Sequence, residues 1–165
     1  MAVRLSKILL VAAIALWLAL AAFGNLTDYG SNWPFVRHVL AMDTIFPDAG
    51  IRYRAIHSPL LQRAAYALIV AAETLAAALC ALGAWRLWRA RRLPAAAFHR
   101  AKGLAVLGLT TGVLLWLGGF MAIGGEWFGM WMSTPWNGLE SASRFVVVLL
   151  AALLYLGQRE EDAEP

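Results

Sequence analysis

The sequence predicts an all-α integral membrane protein, a four-helix bundle carrying a short extramembrane amphipathic helix. Three observations point to this class. Of the 165 residues, 61% are hydrophobic and 15% charged, against about half and about a quarter in an ordinary soluble domain. Apolar runs of spanning length recur near residues 5–24, 62–86, 101–123 and 139–157, each close to the ~20 residues that cross a hydrocarbon core. Polar residues collect between them, chiefly in segments 25–61 and 124–138, which leaves one membrane domain over 1–165 and no attached soluble domain.

The first run follows Arg4 and Lys7. Ala19-Leu20-Ala21 resembles a signal-peptide cleavage site. The length of the run and Trp17 near its end favour an uncleaved anchor. The adjoining Asn25-Leu26-Thr27 matches a glycosylation sequon but abuts the span, so it is read as chance. In SNWPFVRHVLAMD, Ser31 or Asn32 is placed to cap a helix with Pro34 in its first turn. Phe35, Val36, Val39 and Leu40 share one face of that helix, and Arg37 and His38 the other. Such a helix either lies at the interface or packs over the bundle mouth as a lid.

Ser58-Pro59 is a cap followed by a first-turn proline, and no breaker follows until about Arg92. At ~1.5 Å per residue this helix exceeds the ~30 Å core, so its basic end WRLWRARR should emerge, anchored by Trp85 and Trp88. Pro94 begins the third helix. Gly108 and Gly112, spaced to let a neighbour approach closely, pair with the small face Ala72, Ala76 and Gly83. Gly124-Gly125 is expected to end the third helix, and Asn137 with Glu140 to cap the fourth. The tail GQREEDAEP is expected to be a solvated end.

The formal charge of +4 comes from Lys and Arg grouped at span ends, which marks orientation and not a nucleic-acid partner. Nine such residues (Arg4, Lys7, Arg86, Arg89, Arg91, Arg92, Arg100, Lys102, Arg159) lie on the side of the termini and four (Arg37, Arg52, Arg54, Arg63) on the other. The imbalance places both termini in the cytoplasm, and the expected setting is the bacterial inner membrane as a multi-pass protein. With Cys80 as the one cysteine, no intramolecular disulfide is possible. His38, His57 and His99 lie outside the apolar runs, which argues against a haem held by paired histidines. No metal-ligand, phosphate-loop or nucleophile motif occurs.

Two ionisable groups lie within apolar runs. Glu73 is near the middle of the second, where a charge costs ~2.5–3.5 kcal/mol on insertion scales. Arg144 lies in the fourth, one turn from Glu140 and within reach of either acid. Glu73, Glu140 and Arg144 thus form a candidate polar centre, either a proton- or ligand-handling site or a buried pair fixing helix register. Glu126, Trp127, Trp131 and Trp136 form a candidate outer pocket, against the alternative of an interfacial aromatic belt. The outer segment is expected to pack on the amphipathic helix, with Glu126 lining the cavity between them.

GNLTDYGSNWPFVRHVLAMDTIFP after the first run, the mid-run Glu73 and GGEWFGMW-S--WNG followed by an arginine carry a resemblance over nearly the whole chain. They resemble the bacterial family of predicted small integral membrane proteins known as domain of unknown function 2165. The resemblance implies a four-helix inner-membrane protein and carries over no catalytic residue. The expected function is that of an accessory subunit, or of a protein binding a lipid or another ligand in the membrane. The alternatives are an enzyme or electron-transfer component using a quinone or lipid, and a small transporter using Glu73. The bilayer and other membrane subunits are the expected partners, and no cofactor is specified.

Overall fold

The computed structural model describes residues 1–160. Helices α1 (Ala2–Thr27), α2 (Tyr29–Ala41), α3 (Pro59–Ala90), α4 (Ala95–Ala101), α5 (Gly103–Val113) and α6 (Leu139–Gly157) follow in order, and no strand occurs among the described residues. Beyond α5 the chain continues as a π-helix, Leu114–Trp127. Among the described residues, four helical stretches are long and apolar enough to cross a membrane: α1, α3, α6, and the run Ala95–Trp127. The protein is an all-α membrane bundle.

Local chemistry sets the helix starts. The Ser58 hydroxyl accepts from the Leu61 amide, and Pro59 fills the first position of α3, where its missing N–H costs nothing. Pro34 behaves differently from expectation. It lies inside α2, which starts at Tyr29, and Ser31 and Asn32 are helical residues. The extra turn is held by tertiary packing. Tyr29 and Trp33 stack on each other and both meet the Tyr66 ring edge-on at 5.2 and 5.9 Å. Asn32 also donates its side-chain amide to the Asp28 carbonyl.

Gly124-Gly125 does not end the third spanning stretch. The wider π turns carry the helix past both glycines, and the Phe128 amide still bonds the Ile123 carbonyl at 3.0 Å. The chain reverses at Gly129, whose φ of +66° suits glycine and whose added Cβ would meet Ile51 at 3.0 Å. Residue Asn137 does serve α6, since its side-chain oxygen accepts from the Leu139 amide. Glu140 is exposed and completes no reciprocal box.

The two ends of the bundle are chemically distinct. At the cap end, α2 and the loop after it pack on the segment following the π-helix. Val36, Leu40, Met42, Ile45, Tyr66, Val70 and Phe128 form one buried cluster. Thr44 and Ser133 share a hydroxyl hydrogen bond of 2.8 Å. At the terminal end, the side chain of Arg4 bonds the carbonyls of Arg91 and Leu93. Lys7 and Lys102 both donate to the Gln158 carbonyl and flank Glu160 at 2.5 and 3.0 Å. The start of the tail is therefore docked through the covered, ion-paired side chain of Glu160 and the Gln158 carbonyl, while residues 157–159 are otherwise exposed. The remainder of the expected solvated tail, 161–165, lies outside the described residues.

Candidate functional site

Long helices with small residues on facing sides pack closely where the small residues coincide and part where large rings intervene. Toward the terminal end, α3 and α5 meet at Gly83 on Ala105 and Gly108 on Cys80. Gly112, expected to face the same helix as Gly108, faces Leu149 of α6 instead. Toward the cap end, Phe35, Trp116, Phe120 and Phe145 hold the helices apart, and two cavities open between them.

The first cavity, about 440 Å³, lies between α2, α3 and the α5–π stretch. Its lining is almost wholly apolar, with Ala72, Leu115 and Phe120 in its wall and Phe128 and Met130 of the cap above. Leu68, Leu114 and Ile123 on its rim are largely exposed, so it opens sideways toward the lipid.

The second cavity, about 340 Å³, contains Glu73. Its wall toward the first cavity is shared: Phe35, Val36, Ile69 and Phe120 line both. Glu73 is 3% exposed. The side-chain amide of Asn25 donates to Glu73 Oε2 at 2.6 Å, and the Tyr66 hydroxyl donates to the Asn25 carbonyl at 2.6 Å. Three residues from α1 and α3 thus form one polar chain facing the cavity, with Asn32 beside it. The opposite wall is stiff, because Phe145 is sandwiched between Trp17 at 4.1 Å and Trp116 at 4.0 Å, nearly parallel to both.

The sequence candidates are distributed differently from expectation. Arg144 does not join Glu73. Its side chain is 67% exposed and lies 3.8 Å from Glu140, itself 88% exposed, while it also donates to Ser141. The i,i+4 geometry that pairs it with Glu140 turns it out of the bundle. Glu126, Trp127, Trp131 and Trp136 line neither of these cavities. Glu126 is exposed. Trp127 lies under the Arg54 guanidinium at 4.5 Å and gives its carbonyl to the same side chain. Trp131 meets Phe46 edge-on, and Trp136 stacks on His38 at 4.8 Å. These rings fasten the cap from outside, and the hollow lies beneath them.

Asn25 and Tyr66 are the site members that sequence analysis did not assign to a site. Tyr66 had a readable signal, since it precedes Glu73 by two helical turns and so shares its face. Asn25, set aside as a chance sequon, is the direct partner of Glu73.

A family model described as predicted small integral membrane protein (DUF2165) matches residues 3–159. No curated protein matches the chain, and no solved structure does.

Proposed function

We propose, for a chain that belongs to that family of predicted small integral membrane proteins, a non-catalytic binding role: it holds a lipid or a flat apolar molecule such as a quinone in the cap half of its bundle. One observation carries this reading, namely the apolar cavity of about 440 Å³ that opens toward lipid beneath the cap. That volume is in the usual range for small-molecule sites, and apolar walls are their usual lining. The same role suits an accessory subunit of a larger membrane complex. Transport through Glu73 is less well supported, because the groove of about 620 Å³ that runs between α1 and α3 toward the terminal end is lined by alanines and other residues that carry no charge, and Glu73 is not among them. Among the described residues, the one histidine–carboxylate couple with hydrogen-bond contact, His38 with Asp43 at 2.8 Å, belongs to the cap surface and lines neither cavity.

We place the protein in the bacterial inner membrane with both termini cytoplasmic. The nine-to-four distribution of Lys and Arg supports this. So does the grouping of Arg4, Lys7 and Lys102 at one end.

Extraction in mild detergent followed by mass spectrometry of copurified lipids, quinones and proteins tests the binding role. Wild type is compared with Ala72→Phe, which fills the first cavity from α3. A lipid or quinone enriched with wild type and depleted several-fold with the variant is the expected result. Identical profiles from two equally folded proteins would defeat the proposal.

A further inference from the structure

Glu73 accepts one hydrogen bond, from Asn25 to Oε2, and Oε1 receives none from the described residues. No Lys, Arg or His among the described residues forms an ion pair with it, and the other polar groups lining its cavity are neutral: Asn25, Asn32 and Tyr66. Arg144, the cation nearest to it by sequence reasoning, is committed to Glu140 at the surface. A carboxyl group in mid-span without a protein counter-charge needs either a proton or a cation from outside the chain. The Asn25 amide leaves one oxygen free for such a group and anchors the other.

The rest of the cavity is built from rings. Trp116, Phe120, Phe145 and Phe35 surround the space that Glu73 faces, and the Trp17–Phe145–Trp116 stack keeps part of that wall fixed. The faces of aromatic rings carry a quadrupole that attracts cations, and the attraction grows when water is excluded. Both faces of Phe145 are taken by the stack, so this attraction falls to Trp116, Phe120 and Phe35. A hydrated metal ion gains little from such walls, whereas a cation clothed in carbon matches both the rings and the acid. We infer that the Glu73 cavity is a binding site for a small apolar organic cation, an amine or a quaternary ammonium group. Its volume of about 340 Å³ accommodates such a group with a small substituent, and the exposed Leu20 on its rim marks an opening toward lipid. This rests on the reading of the cap half as a ligand-binding region and gives the charged part of the ligand a place beside the apolar cavity.

The full-length protein in nanodiscs of phosphatidylglycerol is titrated with benzyltrimethylammonium and with neopentylbenzene, its neutral carbon isostere. Ligand-detected NMR reads the binding. The cation should bind more tightly than the isostere by about tenfold or more. Glu73→Gln should abolish that preference while leaving neopentylbenzene binding unchanged, and Glu73→Asp, which keeps the charge, should restore most of it. Adding phosphatidylethanolamine or phosphatidylcholine to the nanodiscs separates two sources of the same chemistry. Competition by these lipids identifies an amine headgroup as the occupant, and its absence identifies a free amine.

Equal binding of the two probes in wild type and Glu73→Gln would overturn the cation site and leave the binding role standing. Saturable binding of neither probe would also overturn the cation site, while lipid retention would still decide the broader role. Preference for the cation that survives Glu73→Gln would place the site elsewhere and overturn the inference.

Discussion

Between α3 and α5, Gly83 faces Ala105 so closely that a Cβ on the glycine would lie 2.5 Å from a backbone nitrogen. Nearer the cap on the same stretch, a Cβ on Gly119 would find its nearest neighbour, a leucine methyl, at an ordinary 3.6 Å. The same pair of chain segments is thus locked at one end and parted at the other. Polar groups follow the same division. At the terminal end Lys7 and Lys102 are buried and matched by Glu160 and a carbonyl. Toward the cap Glu73 is buried with one hydrogen bond and a cavity beside it. The comparison teaches that burial alone does not mark function. Buried charges that face opposite charges hold a structure together, whereas a buried carboxyl that faces no opposite charge and borders a cavity is available to a ligand.

The locked end should be the less forgiving. Gly83→Ala places a methyl against the backbone of Ala105 at 2.5–2.6 Å, which no side-chain rotation relieves. The helices must move apart, at a cost of about 3 kcal/mol or more. Gly103→Ala, where nothing lies within 4 Å of the new atom, serves as the control and should be nearly neutral. Unfolding in sodium dodecyl sulfate, followed by circular dichroism, measures both. Equal effects at the two positions would show that the close approach is not what holds this end.

A smaller effect is expected from the tail. Burial alone would raise the carboxyl of Glu160, but the hydrogen bonds and charges of Lys7 and Lys102 outweigh it and hold the group below its ordinary value. A carboxyl with a depressed value stabilises the fold above its unfolded value of about 4.3, and that contribution is lost as pH falls through the lower folded value. Docking of residues 158–160 should therefore persist at neutral pH and fail only in acid below about pH 4. Glu160→Gln should undock it at every pH, leaving two buried ammonium groups without an anion. Because the tail can open locally, the cost should stay near 1.5–3 kcal/mol. Hydrogen exchange at the amides of residues 158–160 reports it. Protection that is unchanged in the variant would remove the ion cluster as the cause.

Much of this division was legible in the sequence. The spans follow from hydropathy, the start of α3 from Ser58-Pro59, and the close-packed end from Gly108 and the small face around Gly83. Glu73 was legible as a buried acid because a lone carboxyl within a long, mostly apolar run has few alternatives. Its partner was not, because Asn25 lies 48 residues away and only the packing of α1 on α3 brings them together. The outer tryptophans misled for a related reason. An aromatic cluster at a membrane edge serves equally well as a cavity wall or as an outer fastening, and composition does not distinguish them. Trp131 and Trp136 find Phe46 and His38 on the facing loop and helix, so their rings are used before any cavity is reached. The docking of the tail was hidden because REE at a chain end reads as solvated until Lys7 and Lys102 are known to lie together.

The smallest effect belongs to Arg144, and it separates two accounts of the mid-membrane charge. Were Arg144 the counter-ion of Glu73, removing it would strand a buried acid and cost ~3–5 kcal/mol. The geometry instead pairs it with Glu140 at 3.8 Å, both side chains mostly exposed. An exposed i,i+4 pair contributes about 0.3–0.5 kcal/mol, and less at high salt. Arg144→Ala should therefore shift unfolding by less than about 1 kcal/mol. It should also leave the cation preference of the Glu73 cavity unchanged, since the residue supplies nothing to that site. Glu140→Ala should reproduce the same small change, and the double variant should add little, because one weak pair is lost in each case. A large loss specific to Arg144→Ala, relieved by a second change Glu73→Gln, would instead tie the two residues together. That result would make Glu73 a matched charge like Glu160 and erase the difference between the two ends.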